Sequence, residues 1–160
     1  MRIIFLDFDG VLNSREFFIA NRDLIRGATS FLQRGIAELN SESVRLMSDF
    51  AQEMNAGVVI SSSWRTLHSL GEINEMLIQT GWQTRLPFSV TPRDKHGFRG
   101  NEIIDWLSDF GMVNVESFVI FDDDGDFHPS QPLIRTSWDF GLQQQHIDIA
   151  RNILLTNINL

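Results

Sequence analysis

Three short runs of consecutive apolar residues punctuate the chain: Ile3-Ile4-Phe5-Leu6, Val58-Val59-Ile60 and Phe118-Val119-Ile120-Phe121. Being apolar on successive rather than alternate positions, they suit strands covered on both faces. Each run ends directly in a polar residue, respectively Asp7, Ser61 and Asp122. Longer segments between them repeat apolar residues at three- and four-residue spacing. Val44, Met47, Phe50, Ala51 and Met54 form one such stripe, stopped by Gly57. Leu67, Leu70, Ile73, Met76 and Leu77 form a second before Gly81, and Ile103, Ile104, Trp106, Leu107 and Phe110 a third before Gly111. Ile147, Ala150, Ile153 and Leu154 make the last. Buried strands alternating with amphipathic helices predict an α/β fold, a Rossmann-like three-layer αβα sandwich with a mostly parallel sheet. Ligands bind such sheets beyond the carboxyl ends of the strands, where all three polar clusters fall.

The first cluster is Asp7-Phe8-Asp9-Gly10. Side chains alternate along an extended chain, so Asp7 and Asp9 can face one site, and Gly10 permits the sharp turn that leads the chain away. The second is Asp122-Asp123-Asp124-Gly125-Asp126. Neither is a calcium loop, because Val11 and Leu133 stand where an EF-hand needs ligands. Two carboxylate groups at neighbouring strand ends repel each other unless a hard cation bridges them, and Mg²⁺ suits a few carboxylates plus a phosphate. The third cluster, Ser61-Ser62-Ser63-Trp64-Arg65, offers hydroxyls to a phosphoryl oxygen, with helix capping as the alternative for Ser62 and Ser63. Arg93, Lys95 and Arg99 lie ahead of a helix expected to begin near Asn101, and one of them could reach a phosphate.

These pieces in this order resemble the haloacid dehalogenase-like (HAD) superfamily of phosphotransferases. More narrowly, L-D-F-D-G-V-L-N, S-S-S-W-R, R-G-N-E-I-I-D-W-L and F-D-D-D are similar to the HAD subgroup associated with RNA-repair proteins. The resemblance implies a phosphatase in which Asp7 becomes an aspartyl phosphate and Asp9 is the acid and base. It implies Mg²⁺ held by Asp7, the Asp9 carbonyl and Asp122, with Asp123 near by. It assigns phosphate binding to Ser61, with Ser62 beside it, and to Arg99 or Lys95. Arg65 and Asn13 are candidates for further substrate contact, with pairing to an acid as the alternative for Arg65. HAD proteins often carry a sizeable cap, but residues 14–40 leave room here for only a small one, to which Phe17, Phe18 and Ile19 contribute either a substrate-facing or a core surface.

Composition narrows the rest. The 160 residues are expected to form one domain, 1–160, and the 42% hydrophobic content is ordinary for a globular protein. The chain has no cysteine, which excludes disulfides and fits a cytoplasmic protein. Neither a signal peptide nor an apolar run long enough for a membrane span is read. A net charge of −8 leans away from long nucleic acids, whereas the subgroup resemblance leans towards nucleotide or RNA ends. The expected partner is thus a phosphorylated substrate: a nucleotide, a nucleic-acid end or a small metabolite. The alternative is a phosphoacceptor or a non-catalytic phosphate-binding module on the same fold. The four histidines show no ligand spacing and read as mostly surface residues.

Overall fold

The computed structural model describes residues 1–156. Five parallel strands form one sheet in the order β3-β2-β1-β4-β5, with β1 at Arg2–Leu6, β2 at Gly57–Ile60, β3 at Ser89–Val90, β4 at Ser117–Asp122 and β5 at Leu133–Arg135. The three apolar runs are the three central strands. The two edge strands have only two and three residues, and prolines flank them at Pro87, Pro92 and Pro132, so neither shows as an apolar run.

Helices cover both faces. Three short ones, α1 (Arg15–Ala20), α2 (Arg22–Arg26) and α3 (Phe31–Glu38), occupy the segment expected to form a small cap. The longer helices are α4 (Ser41–Glu53), α5 (Leu70–Thr80), α6 (Arg99–Phe110) and α7 (Gln144–Leu155). Ile4, Leu6, Val58, Ile60, Val119 and Phe121 face α4, α5 and α7, while Ile3, Phe5, Val59, Phe118 and Ile120 pack against Ile103, Trp106 and Leu107 of α6. This two-sided burial is why the strand runs are apolar at every position.

Two helix starts differ from the sequence reading. The stripe beginning at Leu67 is not helical from there: Ser63–Thr66 forms a 3₁₀ turn capped by the Ser62 hydroxyl, and α5 starts after Ser69. Ser69 and Glu72 make a reciprocal capping box that satisfies two otherwise orphaned amides. Helix α6 begins at Arg99 rather than near Asn101, because two groups of a distant loop receive its first amides. The Arg99 N–H donates to Asp126 Oδ2 at 3.2 Å and the Gly100 N–H to the Asp126 carbonyl at 3.0 Å. Among the described residues, no helix is long and apolar enough to cross a membrane.

Candidate active site

The sheet register builds the site. Leu6 lies between Ile60 of β2 and Phe121 of β4, so the next residues, Asp7, Ser61 and Asp122, emerge side by side from three adjacent strands. The backbone ladder continues through them: the Asp7 N–H donates to the Phe121 carbonyl at 3.0 Å and the Ser61 N–H to the Leu6 carbonyl at 2.9 Å. Between Asp7 and Asp9 the Phe8 ring turns into the core against Trp64, with ring centroids 5.2 Å apart. Gly10 then takes φ +70°, and a Cβ there would lie 2.3 Å from Asp123 Cγ. A side chain at position 10 would therefore push Asp123 away as well as strain the turn.

Asp7, Asp122 and Asp123 each offer a carboxylate oxygen within 4.8 Å of the others. Asp7 and Asp122 are buried, and Asp7 Oδ1 and Asp122 Oδ2 accept no hydrogen bond from the described residues. Burial, and then the charge of Asp122, pushes the Asp7 carboxyl up to about 8 against the opposing pull of the Arg99 guanidinium. Burial likewise pushes Asp122 up to about 6, and raises Asp123. Buried, unsatisfied acceptors at this spacing fit a hard divalent cation, which would remove both the mutual repulsion and the unmade contacts. The Asp9 carboxylate is not in this group, so of Asp9 only the backbone carbonyl is left as a candidate ligand.

The cation facing the acids is Arg99. Its Nη1 lies 3.9 Å from Asp7 Oδ1 and, although buried, makes no hydrogen bond. Lys95 sits in the exposed loop before α6 and forms no ion pair among the described residues. Ser61 is fully buried and its hydroxyl has no partner, while the Ser62 hydroxyl accepts from the Trp64 N–H at 3.3 Å.

Arg65 and Asn13 face inward to the protein. All five guanidinium donors of Arg65 are committed: Nε to the Thr91 carbonyl, Nη1 to the carbonyls of Ser61 and Ser62, and Nη2 to the Pro92 carbonyl and to Glu102 Oε2 at 2.5 Å. Of the two alternatives for Arg65, this is the pairing with an acid. Asn13 is buried; its Nδ2 donates to Asp9 Oδ1 at 2.9 Å and its Oδ1 accepts the Gly10 N–H at 3.0 Å. The Trp64 indole N–H donates to the other Asp9 oxygen, Oδ2, at 3.1 Å. The acid candidate is thus oriented from both sides.

Residues 3–147 match a family model described as the HAD domain in Swiss Army Knife RNA repair proteins. The chain belongs to that family. No curated protein and no solved structure matches it significantly. In this HAD chain the hydrogen bond from Trp64 to Asp9 and the role of Asp126 at the start of α6 were not read from the sequence. Both join residues far apart along the chain, 55 positions for Trp64 and Asp9 and 27 for Arg99 and Asp126, so no local spacing reveals them. His68, expected at the surface, is buried between the Trp64 and Phe31 rings. Of the three cap residues considered, Phe18 packs on Trp138, Ile19 is exposed, and Phe17 lines a cleft of about 740 Å³ beside α2 and α3. None of the acid cluster, which stands at the strand ends, lines that cleft.

Proposed function

We propose that this HAD protein is a Mg²⁺-dependent phosphomonoesterase that works through an aspartyl phosphate on Asp7, with a nucleotide or nucleic-acid end as substrate. The observation that carries the reading is the pair of unsatisfied buried groups Asp7 Oδ1 and Arg99 Nη1, 3.9 Å apart beside Asp122. A phosphoryl group needs a nucleophile and positive charge around it, and these side chains leave both uncommitted.

Asp7, Asp122 and the Asp9 carbonyl, with Asp123 beside them, would hold Mg²⁺, which when bound supplies charge neutralisation for phosphate and carboxylates alike. An Asp7 oxygen attacks phosphorus as the bond to the leaving oxygen breaks, and Asp9 gives that oxygen its proton. Water then attacks the acyl phosphate, Asp9 takes the proton, and the bond between phosphorus and Asp7 breaks to free inorganic phosphate. Arg99 and the Ser61 hydroxyl donate to the non-reacting phosphoryl oxygens. The RNA-repair description of the family supports a nucleotide end over a sugar phosphate. The net charge of −8 supports a terminal grip rather than a long duplex track.

The test is phosphate release from nucleoside 3′- and 5′-monophosphates, oligonucleotide ends, sugar phosphates and an aryl phosphate, with Mg²⁺ or with EDTA. Turnover that needs Mg²⁺ and disappears in Asp7→Asn is the expected result. A folded, Mg²⁺-binding protein that releases phosphate from none of them is a binding module and not a phosphatase.

A further inference from the structure

The substrate's organic half is attached to the oxygen that Asp9 serves, so whatever flanks the Asp9 carboxylate also flanks the leaving group. On one side that neighbour is the buried amide of Asn13. On the other it is Trp64, and from Trp64 an aromatic series runs outward. The Trp64 ring lies 5.8 Å from the His68 ring, and His68 stacks on Phe31 with centroids 4.4 Å apart and planes inclined by 26°. Exposure rises along it, from 7% at Trp64 and 8% at His68 to 59% at Phe31.

Phe31 opens α3, and Ser30 caps that helix through its hydroxyl. Leu32 and Ile36 of the same helix pack on the core, and Gly35 sits so close to α5 that a Cβ would meet Met76 Sδ at 2.6 Å. The helix is therefore anchored without Phe31, whose ring stacks on His68 while the residue stays exposed. Leu67, next to His68, is also exposed. A second aromatic pair, Phe18 and Trp138, joins α1 to the segment after β5, and among the described residues the side chains bonded to Asp9 are those of Asn13 and Trp64.

We infer that Phe31, backed by His68, is a stacking platform for the base of the terminal nucleotide whose phosphate is removed. This rests on the phosphatase reading only for the side on which the leaving group lies. A flat aromatic base gains from a π-face where a sugar or glycerol group does not, and stacking of one base on an aromatic side chain is worth roughly a tenfold or greater change in affinity. A single ring at the rim suits a terminal nucleotide and carries no demand for the basic track that a long strand requires.

Binding on the Asp7→Asn background separates this inference from the chemistry, because substrate survives there. Affinities for adenosine 3′- and 5′-monophosphate and for glycerol phosphate are measured by calorimetry with Mg²⁺, with and without Phe31→Ala, Phe31→Tyr and Trp138→Ala. The expected result is a preference for one or both nucleotides over glycerol phosphate that falls about tenfold with Phe31→Ala, returns with Phe31→Tyr and survives Trp138→Ala. No preference for either nucleotide, or one that survives Phe31→Ala, or one that follows Trp138 instead, overturns it. Failure of the wild type to release phosphate, with the Phe31-dependent preference intact, would instead count against the phosphatase reading alone.

Discussion

Two arginine–carboxylate pairs, the second half-buried at its arginine, lie close together and are built on opposite plans. Arg65 and Glu102 meet at 2.5 Å, and the four remaining Arg65 donors reach backbone carbonyls of Ser61, Ser62, Thr91 and Pro92. Glu102 also accepts the Asp94 N–H at 3.1 Å and lies 3.8 Å from Arg99 Nε, so it stands between the two arginines. Arg99 and Asp7 stand 3.9 Å apart, and the facing atoms of both are buried with no hydrogen bond. The first pair ties the Ser61–Thr66 turn to α6 and to the segment after β3. The second holds charges in place without satisfying them. A saturated pair is an architectural tie, and an unsaturated one leaves the uncommitted groups that the proposed phosphate site requires.

The sharpest way to break the contrast is at Asp7. Asp7→Asn removes the proposed nucleophile and should lower phosphate release by at least about a thousandfold. The same substitution removes a charge that burial disfavours, so the metal-free variant at pH 8 should be no less stable than wild type, with a gain of about 1 kcal/mol in urea denaturation. Loss of activity together with gained stability separates a functional group from a structural one.

Removing each arginine in turn should divide the two plans. Arg65→Ala leaves buried Glu102 with only the looser Arg99 contact at 3.8 Å and strips four carbonyls of their donor, which should destabilise the fold by about 3–5 kcal/mol. Arg99→Ala takes no hydrogen bond from Nη1 and should cost about 1 kcal/mol in stability, yet lower turnover about a hundredfold. Urea midpoints and steady-state rates on the same preparations check both. Equal stability losses for the two variants would erase the distinction.

Proton linkage sharpens the contrast further. Asp7 and Asp122 both titrate higher in the folded protein, about 8 and about 6, than an unfolded aspartate at 3.8. A raised carboxyl favours the folded state fully below the unfolded value, and that contribution is lost as pH climbs through the folded value. The metal-free protein should therefore lose melting temperature between about pH 4 and pH 8. Mg²⁺ needs the deprotonated ligands, so its stabilising effect should grow across the same window. Melting curves with EDTA or Mg²⁺ at pH 5 and pH 8 read this directly. A Mg²⁺ effect that does not increase with pH would argue against Asp7 and Asp122 as the ligands.

What the sequence reveals follows the same division between local and distant order. Central strands β1, β2 and β4 are legible because burial on both faces makes their middle positions a continuous apolar run. Edge strands β3 and β5 are not, being two and three residues long beside prolines. Asp7, Asp9, Ser61 and Asp122 are legible because each stands at or just past the end of an apolar run. The choice between Arg99 and Lys95 is not, since it depends on where α6 begins, and Asp126 sets that from a loop beyond the helix. Arg65 lies in a conspicuous S-S-S-W-R run, but its acceptors include four carbonyls of the chain around β2 and β3 that no side-chain pattern records.

Asp9 stands between the two plans, and this makes Trp64→Phe the subtlest test. Each Asp9 oxygen accepts one hydrogen bond, from Asn13 Nδ2 or from Trp64 Nε1, so the carboxylate is oriented but not saturated. Phenylalanine keeps a ring against Phe8 and His68 while deleting the indole donor. The expected stability loss is below about 1 kcal/mol, and kcat on nucleoside monophosphates should fall roughly fivefold with KM nearly unchanged. A positioning role predicts more than a uniform loss. The defect should shrink on an aryl phosphate, whose leaving oxygen needs little help from an acid, because the step that Asp9 serves is then less demanding. An equal defect on both substrates would mean that Trp64 supports the site as packing alone, and that Asp9 keeps its aim through Asn13.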